Sequence, residues 1–281
     1  MEFGVVPNEQ LEQIEYKYPG GSLEFLSGEE NSAFKFYLGT SRWGAKDWCG
    51  ILYPEKTKTA GFLDEYVKQF SFVEFNSSFY GTPKIDLVKN WASKAEGRDF
   101  KFNPKFSRII THVKRLQNAE NETDSFINAV SYFGENLGTS FMQLPENYSP
   151  THKDALIEYL KNSIPRDLKV AVELRQAEWF ADPLLWKDTL QAFADLGVGA
   201  VISDTSGRRD ACHMSLSTNE ALVRFNCNAA HPTDRLRMEA WRERIINWKG
   251  RGIKKVYFAL HQDENFPAVL KIAKDVFAQF L

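Results

Sequence analysis

FVEFNSSFYGTPKIDLVKNWASKAEGRDFKFNPKF, residues 72–106, decides the fold. FVEFN (72–76) opens it as a short run rich in aromatic and β-branched residues, and FKFNPKF (100–106) closes it in the same way. Between them, Lys84–Ala95 carries apolar residues at helical spacing. A strand, a helix and a second strand make a parallel β unit. The rhythm continues in both directions. FKFYLG (34–39) precedes it, and SFMQL (140–144), KVAVEL (169–174), GAVISD (199–204), ALVRFN (221–226) and KVYFAL (255–260) follow. Helices are expected over Thr59–Phe70, Thr123–Asn136, Lys153–Asn162, Pro183–Leu196, Arg237–Lys249 and Pro267–Phe280, with Asp182 capping the one that starts at Pro183. Eight strands in this length fit a (β/α)8 TIM-type barrel. A doubly wound sheet would want a Gly-rich first turn, and Gly39-Thr-Ser-Arg-Trp-Gly44 is neither GxGxxG nor a P-loop. The connection from Asp204 to Ala221 shows no clear helix.

Residues 1–34 stand apart, with Pro7, Pro19, Gly20, Gly21 and Gly28 around one short helical pattern, Asn8–Tyr16. We read 1–34 as an N-terminal extension that packs on the main domain or stays partly mobile, and 35–281 as the barrel domain. The chain of 281 residues is 43% hydrophobic and 26% charged, ordinary globular values. Its 35 Lys and Arg against 37 Asp and Glu exclude a grossly basic nucleic-acid binder. Three widely spaced cysteines, Cys49, Cys212 and Cys227, read as small buried residues rather than a disulfide framework. The first residues lack a signal-peptide pattern, and no apolar run is long enough to span a membrane. A cytoplasmic, non-membrane protein is the expectation.

Along a barrel strand alternate residues point inward, and polar side chains at strand C-termini build the active site. Glu74 and Asn76 share one face of the second strand, and Lys101, Asn103 and Lys105 share one face of the third. Gln143, the pair Glu173 and Arg175, Asp204, the pair Arg224 and Asn226, and then His261 and Asp263 end later strands. Any single charge here could be a structural ion pair. So many in one mouth argue for chemistry, because stability alone does not collect buried charge. Lys105, Arg175 and Arg224 suit a carboxylate or phosphate, and Glu74, Glu173 and Asp204 suit acid–base work. Glu173 and Arg175 could equally neutralise each other.

GTSRWGAKDWCG (39–50) with Tyr53-Pro54, VEFNSSFYGTP (73–83), Trp91, FKFNPKF with ITH (110–112), QLP (143–145) and VELRQAEWF (172–180) occur in this order. Together they resemble the YecE-like family, also called domain of unknown function 72, from about residue 36 to 205 and more weakly to about 277. The resemblance implies a TIM-type barrel of unestablished activity. It also marks Trp43, Glu74, Asn76, Phe79, Tyr80, Lys105, Thr111, His112, Gln143, Glu173, Arg175, Trp179, Asp204 and Arg224 as motif positions. RFNCN (224–228) and HQD (261–263) depart from the family pattern, and the extension is not typical of it.

These readings converge on an enzyme acting on an anionic small molecule: a phosphate, a carboxylate or a sugar acid. Glu74, Glu173, His112 and Asp204 are its candidate catalytic residues. Trp43, Asn76, Tyr80, Lys105, Gln143, Arg175 and Arg224 are its candidate binding residues. Trp43 and Tyr80, with polar ends, are the aromatics expected to face a ligand, and Phe79 is expected to pack. No organic cofactor is expected. Five histidines without HxH or HExxH speak against a multi-zinc centre. An oxygen-rich Mg2+ site could be built from Glu74, Glu173 and Asp204. Arg235 to Arg244, interleaved with Glu239 and Glu243, is expected to be a solvated helix face. Two alternatives stay open: a barrel that binds or processes nucleic acid, and a non-catalytic ligand-binding or scaffold protein.

Overall fold

The computed structural model describes residues 3–22, 24–26, 28–30, 32–261 and 264–281. Its strands are β1 (Lys35–Thr40), β2 (Phe72–Phe75), β3 (Lys101–Pro104), β4 (Ser140–Gln143), β5 (Val170–Glu173), β6 (Gly199–Ala200), β7 (Ile202–Asp204), β8 (Glu220–Asn226) and β9 (Lys255–His261). All pair in parallel, in the orders β3-β2-β1-β9-β8-β7 and β4-β5-β6. The sixth expected strand is split into β6 and β7 at Val201, whose N–H donates to the Val172 carbonyl at 2.9 Å. Gly138 N donates to Phe102 O at 2.8 Å and Phe106 N to Phe141 O at 2.9 Å, which links β3 to β4.

Alternation along these strands builds two separate apolar layers. Tyr37, Phe72, Phe141, Ala171, Val201, Leu222, Tyr257 and Ala259 point to one another inside. Their neighbours Leu38, Val73, Phe102, Met142, Val172, Ile202, Val223 and Phe258 face the surrounding helices. An inner layer that gathers side chains from strands of both orders into one cluster fits a TIM-type barrel wrapped by helices. Gly39 keeps β1 and β2 close, since a Cβ there would lie 2.0 Å from the Phe72 carbonyl oxygen.

The helices are α1 (Phe62–Gln69), α2 (Ser77–Tyr80), α3 (Ile85–Lys94), α4 (Glu120–Ser131), α5 (Lys153–Ser163), α6 (Glu178–Ala181), α7 (Pro183–Leu196), α8 (Pro232–Lys249) and α9 (Phe266–Val276). Asp182 caps α7 as expected, accepting from Leu184 N at 2.9 Å. Short α2 and α6 lie in the loops after β2 and β5. α8 begins five residues before the expected Arg237, at Pro232. Between β7 and β8 the sequence correctly shows no α-helix: only a 3-10 turn, Arg209–Ala211, forms there. The expected helix Asn8–Tyr16 is a shorter 3-10 turn, Asn8–Gln13. Among the described residues no helix is long and apolar enough to cross a membrane.

Two sequence expectations change. Arg237 does not belong to a solvated face. It is fully buried on the inner side of α8 and paired with Asp204 and Asp234. Of the cysteines only Cys212 is buried, while Cys49 and Cys227 are half-buried.

Candidate active site at the barrel mouth

The inward faces of five strands deliver one connected set of charged side chains. Arg224 on β8 is its centre. Its Nε donates to Glu74 Oε2 at 2.9 Å and its NH2 to Glu74 Oε1 at 2.8 Å, a two-pronged grip on the β2 carboxylate. Its NH1 donates to Glu173 Oε2 at 2.5 Å. Glu173 also accepts from Arg175 Nε at 2.8 Å and from Ser203 Oγ at 2.8 Å. Glu74 also meets His261 Nε2 at 3.0 Å and Asn76 Nδ2 at 2.9 Å. Lys105 stands beside this lattice and donates to Gln143 Oε1 at 2.8 Å.

The electrostatics follow from these contacts. Burial alone would raise the Glu74 and Glu173 carboxyls. The guanidiniums overcome it: Arg224, with His261, holds Glu74 well below the usual carboxylate range. Arg175 and Arg224 hold Glu173 at about 2. Neither carboxylate takes a proton near neutral pH, so neither is a ready acid. Lys105 behaves differently. Burial, reinforced by the charge of Arg224, brings its ammonium down to about 7 against the pull of Glu173 and Glu74. Two carboxylates cancel two guanidiniums, and the lysine proton decides whether the set is neutral or carries one positive charge.

The remaining candidates divide. Phe79, expected to be packing, reaches the site, with Lys105 Nζ 4.1 Å from its ring centre. His112, on the turn Ile109–Val113, meets Phe79 edge-on at 5.1 Å, and burial together with Lys105 lowers it to about 4, so the imidazole is neutral. Trp43 is not in the mouth. It stacks on Phe75 at 5.5 Å and touches Trp91 in the helix-facing layer. Tyr80 is 84% exposed and meets the Phe79 ring edge-on at 5.4 Å. Asp204 is the largest displacement. Ser203 faces inward, so Asp204 faces outward, where it accepts from Arg237 NH2 at 2.8 Å, Trp241 Nε1 at 2.6 Å, Tyr18 OH at 3.1 Å and Arg209. It is the hub of a buried cluster behind the strand. Glu74, Glu173 and Asp204 therefore do not converge on one ion, and no metal-ligand cluster occurs among the described residues. Asp263 lies outside the described residues.

The family model for DUF72, a protein of unknown function, matches residues 37–276. The chain belongs to the DUF72 family. Among its DUF72-type relatives, UPF0759 protein YecE of Escherichia coli (strain K12) is 25% identical over 230 residues, covering 75% of this chain and 81% of that protein. UPF0759 protein YunF of Bacillus subtilis (strain 168) is 25% identical over 201 residues, covering 68% and 69%. The fold matches a crystal structure of a DUF72 protein from Thermotoga maritima with a TM-score of 0.68 at 22% identity, covering 86% of this chain and 99% of that one. A DUF72 protein from Enterococcus faecalis gives 0.66 at 17% identity, over 88% and 99%. In this DUF72 chain the matched region starts inside β1, so residues 3–22 precede it. Sequence reasoning missed what that segment adds: Phe3, buried against the mouth, with its ring 4.5 Å from the Arg175 guanidinium.

Proposed function

We propose that this chain is an enzyme that acts at the C-terminal mouth of its barrel on an anionic small molecule, with Lys105 exchanging the proton. The observation that carries this reading is the Lys105 ammonium, brought to about 7 in a site whose two carboxylates are already neutralised. A general acid or base works best with a pKa near the operating pH. Protonated Lys105 and Arg175 attract the anionic group, and Gln143 orients the lysine. Glu74 and Glu173 aim Arg224 and Arg175 rather than carry protons, which revises the roles their position alone suggests. Neutral His112 serves as a hydrogen-bonding group on the Phe79 side.

Phosphates, sugar acids and nucleotides are to be screened by the melting temperature they give to the wild type and to Lys105→Met. An anion that stabilises only the wild type, and is turned over with an inflection near neutral pH, supports the assignment. An anion that stabilises both proteins equally, or turnover indifferent to Lys105, refutes it.

A further inference from the structure

The segment Phe3–Ser22 starts at the mouth with Phe3 and Gly4 and continues along the stretch where β7 and β8 are joined without an α-helix, to the outer side of β7. Its first residues occupy groups of the site itself. The Phe3 carbonyl accepts from Asn226 Nδ2 at 3.0 Å and from Thr205 Oγ1 at 2.9 Å. The Gly4 carbonyl accepts from Gly207 N at 2.7 Å. The Phe3 ring lies between two guanidiniums, 4.5 Å from Arg175 and 4.9 Å from Arg208. Further along, Tyr16 OH meets Ser206 Oγ at 3.2 Å, and Tyr18 OH donates to Asp204 at 3.1 Å. Arg244 donates to the Gly20 carbonyl at 2.8 Å, and Leu216 N to the Ser22 carbonyl at 2.8 Å.

The attachment is polar and thin. Between Phe3 and Ser22 only Phe3 and Leu11 are buried. Several of the hydrogen bonds holding the segment are exposed or part-buried, and no barrel strand pairs with it. A unit held by few buried apolar contacts opens at a lower free energy than the whole fold.

We propose that Phe3–Ser22 is a lid over the mouth, which opens as a unit while the barrel stays folded. The functional meaning of the lid rests on the mouth being the active site. A ligand that needs Arg175 and Asn226 competes with Phe3, so its apparent affinity is reduced by the fraction of molecules that are closed. Gly4 is the weak point: its φ is +68° and a Cβ there would lie 2.5 Å from Thr205 Cγ2, so Gly4→Ala favours the open state.

Hydrogen exchange on the full chain tests the lid without a known ligand. The amides of Gly207 and Leu216 are expected to exchange faster than those of β8 and β9. Phe3→Ala should speed Gly207 and Leu216 by about ten-fold or more, as loss of a buried ring implies, Gly4→Ala should speed them too through backbone strain, and both should leave β8 and β9 unchanged. Exchange of Gly207 and Leu216 at the rate of β8 and β9, or indifference to both substitutions, overturns the proposal. Titration with inorganic phosphate separates it from the reading of the site. Tighter binding by Phe3→Ala than by wild type supports both. A loosened segment with no phosphate binding by either protein keeps the lid and sinks the anionic-ligand reading. Equal phosphate affinity in the two proteins overturns the lid.

Discussion

Replacing Lys105 by Met should change how stability depends on pH, and the size of the change follows from the site. Lys105 is 7% exposed, and its ammonium is brought from 10.5 to about 7, by burial first and by Arg224 second. Below about 7 the lysine is charged in folded and unfolded chains alike, and folding must bury that charge. From about 7 to 10.5 the unfolded chain holds a proton that the folded chain has released. Stability therefore rises with pH through that window in the wild type, and Met has no such window. Each pH step there is worth about 1.4 kcal/mol for one proton, so from about pH 6 to about pH 9 the wild type should gain roughly 2–3 kcal/mol on Lys105→Met. For a chain of this length that is about 3–5 °C in Tm. The assay is a set of thermal melts of both proteins at matched pH and salt. At the acid end the Met variant should melt higher, with the gap closing or reversing as pH rises. Parallel Tm profiles for the two proteins would refute a depressed lysine, and with it the proton-exchange role.

Arg224→Met leaves Glu74 and Glu173 buried without their shared partner, and should cost about 3–5 kcal/mol in urea unfolding. Glu173→Gln takes a buried carboxylate from Arg175 and from Arg224, which keeps Glu74, and should lower Tm by several degrees at neutral pH. Because the folded carboxyl lies at about 2, below its ordinary value, the stability it contributes is present above about pH 4.5 and lost as pH falls toward 2. Acid titration of wild type and Glu173→Gln should therefore converge at the acid end. Asp204→Ala removes the acceptor of Arg237 and Trp241 and should cost about 3–5 kcal/mol, measured by urea unfolding. If the Asp204 cluster supports the lid through Tyr18, the same variant should speed exchange at Leu216.

The barrel and the strand-borne part of the site were legible because both depend on a local rule. Side chains alternate, so Glu74, Lys105, Glu173 and Arg224 declare their shared face within a few residues of sequence. GAVISD defeats the same rule. Inward Gly199, Val201 and Ser203 are as small and apolar as outward Ala200 and Ile202, so nothing local says on which side Asp204 falls. Phe79 and Tyr80 sit on the single turn α2, where one residue of rotation moves a ring from Lys105 to solvent. Arg237 looks like one charge among several on a helix, and only its distant partner Asp204 marks it as buried. Phe3 gives no periodic signal at all.

These two kinds of residue have different physical origins, and that bears on function. Buried Arg–carboxylate lattices are weak contributors to net stability, since desolvation of each charge opposes the attraction. The outer cluster around Asp204 joins α8, the loop after β7 and Tyr18, so its cost has a structural return in placing three elements. The inner lattice around Arg224 ties β8 to β2 and β5, neither of which pairs with β8 through a backbone ladder. What it adds is a fixed arrangement of charge at the one end of the barrel where Lys105 can change its own. Removing Arg224 and both of its carboxylates at once separates the two cases. Replacing Glu74, Glu173 and Arg224 together by apolar residues of similar volume should leave the fold close to wild-type stability while abolishing anion binding. A triple variant that unfolds like Arg224→Met alone would make the inner lattice structural as well.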